Sequence, residues 1–313
     1  MQLLLQVSTR QRLAVLLPAL LMAVSLNSIS LNAADGTGYT VRSSTNEVRL
    51  AFAASDRHGK RIKELLPSDV AVADNGTIIR HFKSFRPASE SPLDLVILLD
   101  ASDSLELQIS AEIVDVNRFI SGTAWGKRDR VSILAFGGLR PMLICARNCN
   151  SQAISVKLST LRASGATPLY DALVSAAEIL EQNRDSQARP AMILFSDGMD
   201  TISMHSMSEA VLAAENLQAA IYCVNARSKK SSQDRGDAVL DKLAGNTGGL
   251  SFPPGQDVAS VLRAVLEDLH GGYVLTYDLP EQTAGQHSVR ILPTRDPRLQ
   301  LRSRLAYDES ASQ

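Results

Sequence analysis

The chain has 313 residues, a formal net charge of −1 and only 4% aromatic residues. Because it carries no surplus of basic residues and few aromatic side chains on which bases could stack, we expect no nucleic-acid partner. Apolar residues make up 45% and charged residues 21% of the chain, which is an ordinary globular balance, and the length allows one medium-sized domain and a smaller one.

Residues 1–33 are predicted to be a signal peptide. Arg10 and Arg12 form a basic region that precedes an apolar run over residues 13–26, and small residues follow up to a plausible cleavage point after Ala33. The run is shorter than the about 20 residues that a membrane-spanning helix needs. We therefore expect a periplasmic or secreted protein. The alternative is an uncleaved amino-terminal anchor, and only then would the protein associate with a membrane.

Residues 38–90 are predicted to form a β-rich flank. Val48, Leu50 and Phe52 alternate with charged or small residues, which is typical of a half-buried strand. Asn75 and Gly76 separate two strand-like segments, and this pair is a strong signal for a tight hairpin. The flank is too short to bury a robust core by itself.

The pattern changes over residues 91–272, where strand-like and helix-like segments alternate. Residues 93–99 are almost entirely apolar, as expected of a strand buried on both faces, and residues 130–136 and 189–196 have the same character. A helix is predicted over residues 167–180 with Pro168 in its first position. The alternation predicts an α/β fold, a Rossmann-like, doubly wound and mostly parallel sheet with helices on both faces.

Residues 273–308 return to a β-like pattern. The economical architecture is a small β module that the amino-terminal and carboxyl-terminal flanks build together, with the α/β domain inserted between them. Two glycines, Gly271 and Gly272, follow the last helix of this domain and could form either a pivot or a rigid connector to the module.

The three cysteines do not have the spacing of a metal site. Cys145 and Cys149 lie close enough along the chain to close a small loop in an oxidising compartment. Cys223 lies in an apolar run and is expected to be a buried core residue.

Oxygen-bearing side chains cluster where the predicted strands end. Asp100, Ser102 and Ser104 follow the strand over residues 93–99, Asp197 follows a second strand, and Thr167 precedes a helix. Ligands of open parallel sheets bind beyond the carboxyl ends of the strands. Two carboxylates and three hydroxyls form an all-oxygen set that suits Mg²⁺, with Mn²⁺ or Ca²⁺ as alternatives.

Each of these residues also has an ordinary structural interpretation. Ser102, Ser104 and Thr167 could cap helices, and Asp197 followed by glycine could form a turn. Asp171 and Asp200 are expected to support or cap neighbouring segments.

The motifs resemble the metal-ion-dependent adhesion site of von Willebrand factor type A domains. The similarity rests on DASDS (100–104), SGATPLYDAL (164–173) and SDGMDT (196–201), which occur in the order of that family. The resemblance implies direct metal ligation by Ser102 and Ser104, water-mediated ligation by Asp100 and Asp197, and direct ligation by Thr167 when a ligand is engaged. Asp103 stands where relatives often have glycine. It would favour Ca²⁺ if it turned inward, but we expect it to point to solvent.

The flanks also resemble those of a bacterial secreted subfamily, the VWFA-related domain proteins. The resemblance implies a binding or adhesion module, not an enzyme, in which the cation bridges to an acidic group of a protein partner. The alternative is a metal-dependent hydrolase or phosphoryl-transfer enzyme. The motifs argue against it, because they offer no Lys or Arg to clamp a phosphate and no His to activate a hydroxyl.

Overall fold

The structure is a computed structural model that describes residues 47–147, 149, 151–182, 184–228, 235–279 and 285–309. These residues belong to one compact unit, residues 44–313. The predicted signal peptide, residues 1–33, and the beginning of the first flank, residues 38–46, lie outside the described residues.

The described elements fall into a first flank, an α/β domain and a second flank. The first flank contains β1 (Glu47–Ser55), β2 (Val70–Asp74), β3 (Thr77–Ile79) and β4 (Ser84–Pro87). The α/β domain contains β5 (Leu93–Asp100), α1 (Ile109–Gly122), β6 (Arg130–Phe136), β7 (Met142–Cys145), α2 (Ser151–Ser159), α3 (Leu169–Glu181), β8 (Arg189–Ser196), α4 (Met207–Asn216), β9 (Ala220–Asn225), α5 (Arg235–Thr247), β10 (Ser251–Phe252) and α6 (Val258–Gly271). The second flank contains β11 (Tyr273–Asp278), β12 (Gly285–Pro293), β13 (Gln300–Ser303) and β14 (Ala306–Glu309).

The central sheet has the strand order β10-β9-β8-β5-β6-β7. Every neighbouring pair is parallel except β6 and β7, which are antiparallel. Strand β5 lies in the middle and all its residues are buried. Apolar side chains of α1, α2 and α6 cover one face of the sheet, and those of α3, α4 and α5 cover the other. The predicted fold class is confirmed, since a strand without polar alternation needs apolar cover on both faces.

The two flanks build antiparallel sheets together, with the strand orders β13-β1-β11-β4 and β14-β12-β2-β3. Leu50 of β1 pairs with Leu275 of β11, and both side chains are fully buried in the core of the module. The Asn75-Gly76 turn joins β2 to β3 with φ angles of 45° and 85°. Both angles are positive, as the favoured two-residue hairpin turn requires.

Some local details differ from the sequence prediction. Pro168 precedes α3 as its N-cap with ψ of 63°, so it does not occupy the first helical position. Strand β7 and helix α2 were not predicted. Residues 142–145 are apolar, but they form a run of only four residues at the edge of the sheet, where Met142 and Leu143 are exposed. Cys145, the last residue of β7, forms a disulfide with Cys149, which precedes α2. Within the described residues, no helix has the length and hydropathy needed to cross a membrane.

Candidate metal centre

The candidate site lies at the carboxyl edge of the central sheet, where the loops after β5, β6 and β8 meet the loop between α2 and α3 that carries Thr167. Asp100 is the last residue of β5, and Asp197 directly follows β8. The loop after β6 approaches them closely, because a Cβ atom at Gly137 would lie 2.3 Å from the carbonyl oxygen of Ala101. A side chain at Gly137 would push these loops apart, so glycine is required for this close contact.

Asp100 is fully buried, at 0% exposure. Its Oδ1 accepts a hydrogen bond from the backbone amide of Ser102 at 3.0 Å, and its Oδ2 accepts one from the hydroxyl of Ser196 at 2.7 Å. Burial raises the pKa of Asp100 to about 6, and the nearby charge of Asp197 acts in the same direction. The carboxylate therefore lies in a position where a cation would stabilise its charged form.

Ser102 and Ser104 present a pair of hydroxyls, whose Oγ atoms lie 3.1 Å apart. Ser102 is 1% exposed, whereas Ser104 is exposed at the rim. Ser102 occupies the N-cap position of a short 3-10 helix, Asp103–Leu105, but its side chain makes no capping hydrogen bond. Capping therefore does not explain the Ser102 side chain, and its oxygen can act as a ligand.

Thr167 and Asp197 are positioned by the loop that follows β8. Thr201 of that loop accepts a hydrogen bond from the Thr167 amide at 2.7 Å through its Oγ1, and its own amide donates to the Thr167 carbonyl at 2.9 Å. Asp197 accepts the amide hydrogen of Met199 at 3.0 Å, which is the turn contact expected of Asp before glycine. Thr167 is 4% and Asp197 is 7% exposed. Thr167 does not cap α3, since Pro168 occupies that position.

The loop that carries Thr167 is also fastened to the loop that carries the serines. The Ser164 amide donates to the Ala101 carbonyl at 2.8 Å, and the Asp103 amide donates to the Gly165 carbonyl at 3.2 Å. The exposed Asp103 carboxylate accepts the Gly165 amide hydrogen at 2.8 Å. Asp103 thus holds two loops together at the surface, in keeping with the expectation that it does not turn inward.

Asp171 and Asp200 act within the neighbouring loops. Asp200 accepts hydrogen bonds from the Leu169 amide at 2.9 Å, at the start of α3, and from the Ser203 hydroxyl at 2.5 Å. Asp171 contacts the ring Nδ1 of His205 at 2.7 Å and accepts the backbone amides of Met204 and His205. Both carboxylates have partners that account for them as structural groups.

The donor set fits a hard cation that keeps part of its water shell. Two carboxylates and three hydroxyls supply only oxygen atoms, which is the preference of Mg²⁺. Over the described part of the chain, no three His, Cys, Asp or Glu side chains converge in a way that could hold a metal ion. A metal here would therefore depend on the hydroxyls and on water as much as on the carboxylates.

Residues 95–199 match the von Willebrand factor type A domain family. The chain contains a von Willebrand factor type A domain. It is 28% identical over 150 residues to the 60 kDa subunit of magnesium chelatase from Cereibacter sphaeroides, covering 48% of this chain and 25% of that protein. It is 25% identical over 207 residues to inter-alpha-trypsin inhibitor heavy chain H4 from Sus scrofa, covering 63% of this chain and 22% of that protein. The chain thus spans about a quarter of the length of these relatives.

The fold is similar to that of a solved von Willebrand factor type A structure from Catenulispora acidiphila. The TM-score is 0.46 at 12% sequence identity, over 87% of this chain and 76% of that chain.

Two supporting residues of this von Willebrand factor type A domain were not predicted from the sequence. Ser196 donates to Asp100, and Thr201 holds Thr167. Both lie inside the SDGMDT motif, so their positions in it were the available signal. Their roles depend on their partners, which are Asp100 at the end of β5 and Thr167 in the loop before α3. The arrangement of the strands in the sheet brings these partners together.

Exposed apolar side chains lie on the loops that build the candidate site of the von Willebrand factor type A domain. Five large apolar residues on the loops after β5, β6 and β8 have exposed side chains. They are Leu107 at 89%, Leu139 at 79%, Met199 at 44%, Ile202 at 41% and Met204 at 93% exposure. We refer to these residues as the apolar rim. Exposed large apolar residues concentrated around a polar centre are typical of a surface that binds a partner.

Proposed function

We propose that this protein is a metal-dependent protein-binding module that engages an acidic group of a protein partner through a divalent cation. Asp100, Ser102, Ser104, Thr167 and Asp197 hold the cation, which is Mg²⁺ in the first instance. The bound cation would supply the attraction for a carboxylate of the partner. The cation bridges two proteins and no covalent bond changes.

The observation that carries this proposal is the pairing of a buried carboxylate with two neighbouring hydroxyls. Asp100 is fully buried at a strand end, and its charge has no cationic side chain among its hydrogen-bond partners in the described residues. Beside it, the hydroxyls of Ser102 and Ser104 contact each other and leave the adjacent helix uncapped. A bound cation would neutralise the buried carboxylate and would use the two hydroxyl oxygens as ligands.

The apolar rim indicates the kind of partner. Leu107, Leu139 and Met204 are the most exposed large apolar residues of the three loops. A partner whose acidic side chain is flanked by apolar ones would bury this surface while its carboxylate reached the cation. Methionine adds adaptability, because its flexible thioether side chain fits partners of differing shape.

A metal-dependent hydrolase or phosphoryl-transfer function finds less support. The hydrogen-bond donors to the five candidate ligands, within the described residues, are hydroxyls and backbone amides. Phosphoryl transfer relies on cationic side chains around the transferred group, and hydrolysis through a serine relies on a neighbouring base.

Export to the periplasm or the exterior is part of the proposal. The apolar run that precedes Ala33 supports it, as does the Cys145–Cys149 disulfide, because disulfides persist in oxidising compartments. Membrane association follows only if the amino-terminal segment stays uncleaved.

The test is metal binding by the purified protein. Isothermal titration with Mg²⁺, Mn²⁺ and Ca²⁺ is expected to give one site, and the melting temperature is expected to rise with metal by mass action. Asp100→Ala is expected to remove both effects. Glu106→Gln is the matched control, because Glu106 is an exposed acidic residue of the same loop.

Equal metal binding by the wild type and Asp100→Ala would overturn the ligand assignment. With the site established, partner capture is expected to need the metal. A protein that is retained in Mg²⁺, released by chelator and lost with Asp100→Ala is the expected result. If the captured protein is still retained in chelator and by Asp100→Ala, the bridging role of the cation is contradicted.

A further inference from the structure

A second charged site lies at the opposite end of the α/β domain. A cavity of about 70 Å³ separates the amino-terminal end of β8 from the β module, and its lining includes Arg49, Arg189, Arg302 and Arg304. Asp268 is the acidic residue in this lining. Arg189 begins β8 and Asp197 follows its other end, so the full length of the strand separates this cavity from the candidate metal centre.

Most of the arginines in this cavity are held by neutral groups. Arg49 donates to the carbonyls of Ser186 and Ala188 at 2.6 and 3.0 Å and to the Ser91 hydroxyl at 3.2 Å. Arg304 donates to the carbonyl oxygens of Glu215 and Arg49 at 3.2 and 3.0 Å. The Arg304 guanidinium also lies over the ring of Tyr307, with Cζ 4.9 Å from the ring centroid. All these partners are neutral, so none of them neutralises the charge of Arg49 or Arg304.

Arg302 has a carboxylate partner. Its Nη2 lies 2.6 Å from Oδ2 of Asp268, which also accepts the Tyr222 hydroxyl at 2.6 Å. In the described residues, Arg49, Arg189 and Arg304 form no ion pair within 4.0 Å. The cavity therefore has an excess of positive charge.

Arg189 has two hydrogen-bond donors without acceptors. It is 7% exposed, and its Nη1 donates to the carbonyl of Leu269 in α6. Its Nε and Nη2 are buried and have no acceptor among the described residues. These two nitrogens form one side of the guanidinium plane, which is the side that binds two oxygens of an oxyanion in parallel. The Nε of the equally buried Arg304 also lacks an acceptor there.

The electrostatics agree with this geometry. Burial lowers the pKa of Arg189, and it lowers the pKa of Arg49 and of Arg304 to about 10. For Arg49 the charges of Arg86 and Arg189 add to the effect of burial. The charges of Asp129 and Asp268 act on Arg189 in the opposite direction, but the effect of burial is larger. Buried donors without acceptors are costly, and one bound anion would supply acceptors and further negative charge.

We propose that this cavity binds one small tetrahedral oxyanion, of the inorganic phosphate or sulfate class. The side-on pair of Arg189 is its main anchor, with Arg304 and Arg49 as further cationic groups. Because β8 belongs to the α/β domain and β1 and β13 belong to the β module, the bound anion stabilises the contact between them. This site is independent of the proposed metal-dependent binding.

The test compares anions at constant ionic strength on the full chain. Thermal melting in phosphate or sulfate, balanced with sodium chloride, is expected to show a saturable rise in melting temperature. Isothermal titration with inorganic phosphate is expected to give one site. Arg189→Gln is expected to weaken phosphate binding about tenfold or more, because it removes a charge-assisted bidentate contact. Arg290→Gln, which alters an exposed arginine of β12, is expected to bind like the wild type.

Arg189→Lys is the second variant if Arg189→Gln does not fold. It keeps the charge but lacks the planar pair of donors, so weaker binding is again expected. The proposal is overturned if the wild type melts at the same temperature in phosphate, sulfate and chloride. It is equally overturned if either Arg189 variant binds phosphate as tightly as the wild type. A rise in melting temperature in acetate, without a rise in phosphate or sulfate, would also overturn it.

Discussion

Ser196 donates a 2.7 Å hydrogen bond to Oδ2 of Asp100, from the end of β8 to the end of the neighbouring strand β5. Both side chains are fully buried. The contact joins two motifs that lie far apart in the chain and fixes the carboxylate whose Oδ1 accepts the Ser102 amide. The orientation of Asp100 in the candidate metal centre thus depends on a residue that is not itself a candidate ligand.

Removing this hydroxyl is therefore expected to affect both stability and metal binding. Ser196→Ala leaves one oxygen of a buried carboxylate without its donor, which is expected to lower the free energy of unfolding by about 1–3 kcal/mol. Metal affinity is expected to fall as Asp100 loses its fixed orientation. Urea unfolding and isothermal titration measure the two effects. Ser121→Ala, which removes an exposed hydroxyl bonded to a carbonyl within α1, is the control. Wild-type values for both quantities would contradict the positioning role of Ser196.

Asp103 is expected to leave ion preference unchanged. Its carboxylate is exposed and accepts the Gly165 amide at 2.8 Å, so it serves the loop contact. Asp103→Asn keeps a hydrogen-bond acceptor at this position. The ratio of Mg²⁺ to Ca²⁺ affinity, measured by titration, is expected to match that of the wild type. A marked shift of that ratio toward Mg²⁺ would show that the carboxylate acts on the ion.

Glu112 is expected to make stability depend on pH. It is 3% exposed on α1, and its Oε2 has no hydrogen-bond partner within the described residues. Burial raises its pKa from 4.5 to about 8, with smaller contributions from the charges of Asp100 and Asp115. Between these pH values the folded state holds a proton that the unfolded chain releases. The free energy of unfolding therefore falls as the pH rises through this window.

The variant Glu112→Gln keeps the neutral shape at every pH. Above pH 8 it is expected to be more stable than the wild type, by on the order of 1–4 kcal/mol. Below pH 5 the two proteins are expected to be alike. Denaturant unfolding in the presence of chelator, at several pH values, measures the difference. Glu106→Gln serves as the exposed control, and parallel pH profiles of the wild type and Glu112→Gln would be the contrary result.

The shared β module predicts the effect of a truncation. Strand β11 pairs with β1 and β4, and β12 pairs with β2. Deleting residues 273–313 removes these partners, so the first flank is expected to become sensitive to protease while the α/β domain stays resistant. Limited proteolysis with mass spectrometry locates the cuts. Deleting residues 310–313 alone is the control. Protection of both regions in the longer deletion would mean that the first flank folds independently.

Export predicts a shortened mature protein. Cleavage after Ala33 is expected to leave Ala34 as the first residue of the protein isolated from its native compartment. Amino-terminal sequencing checks this directly. Material that still begins at Met1 would instead support the uncleaved anchor.

The connection between α6 and the β module determines whether partner binding at the candidate metal centre could move the β module. Arg189 donates to the Leu269 carbonyl near the end of α6, and Arg302 pairs with Asp268 of the same helix. A Cβ atom at Gly272 would lie 2.7 Å from the carbonyl oxygen of Phe52. Gly272 thus permits close packing against β1, and these contacts favour the rigid connector over the pivot.

The sequence by itself determined the features that depend on local pattern. The run over residues 93–99 indicated a strand buried on both faces, because a strand with apolar cover on both faces needs no polar alternation. Asn75 and Gly76 indicated the hairpin turn, because both residues tolerate positive φ. The oxygen-bearing residues were predictable as a group, because the carboxyl ends of parallel strands meet at one edge of the sheet.

Only the tertiary structure decided which side chains face one another. The Ser196–Asp100 hydrogen bond and the arginine cavity join residues that are distant in the chain. Arg49, Arg189 and Arg304 look like ordinary surface residues in the sequence, since arginine is rarely buried without a partner. Their burial follows from the docking of the β module on the amino-terminal end of the central sheet. Local periodicity does not encode that docking, because it depends on the summed packing of strands from both ends of the chain.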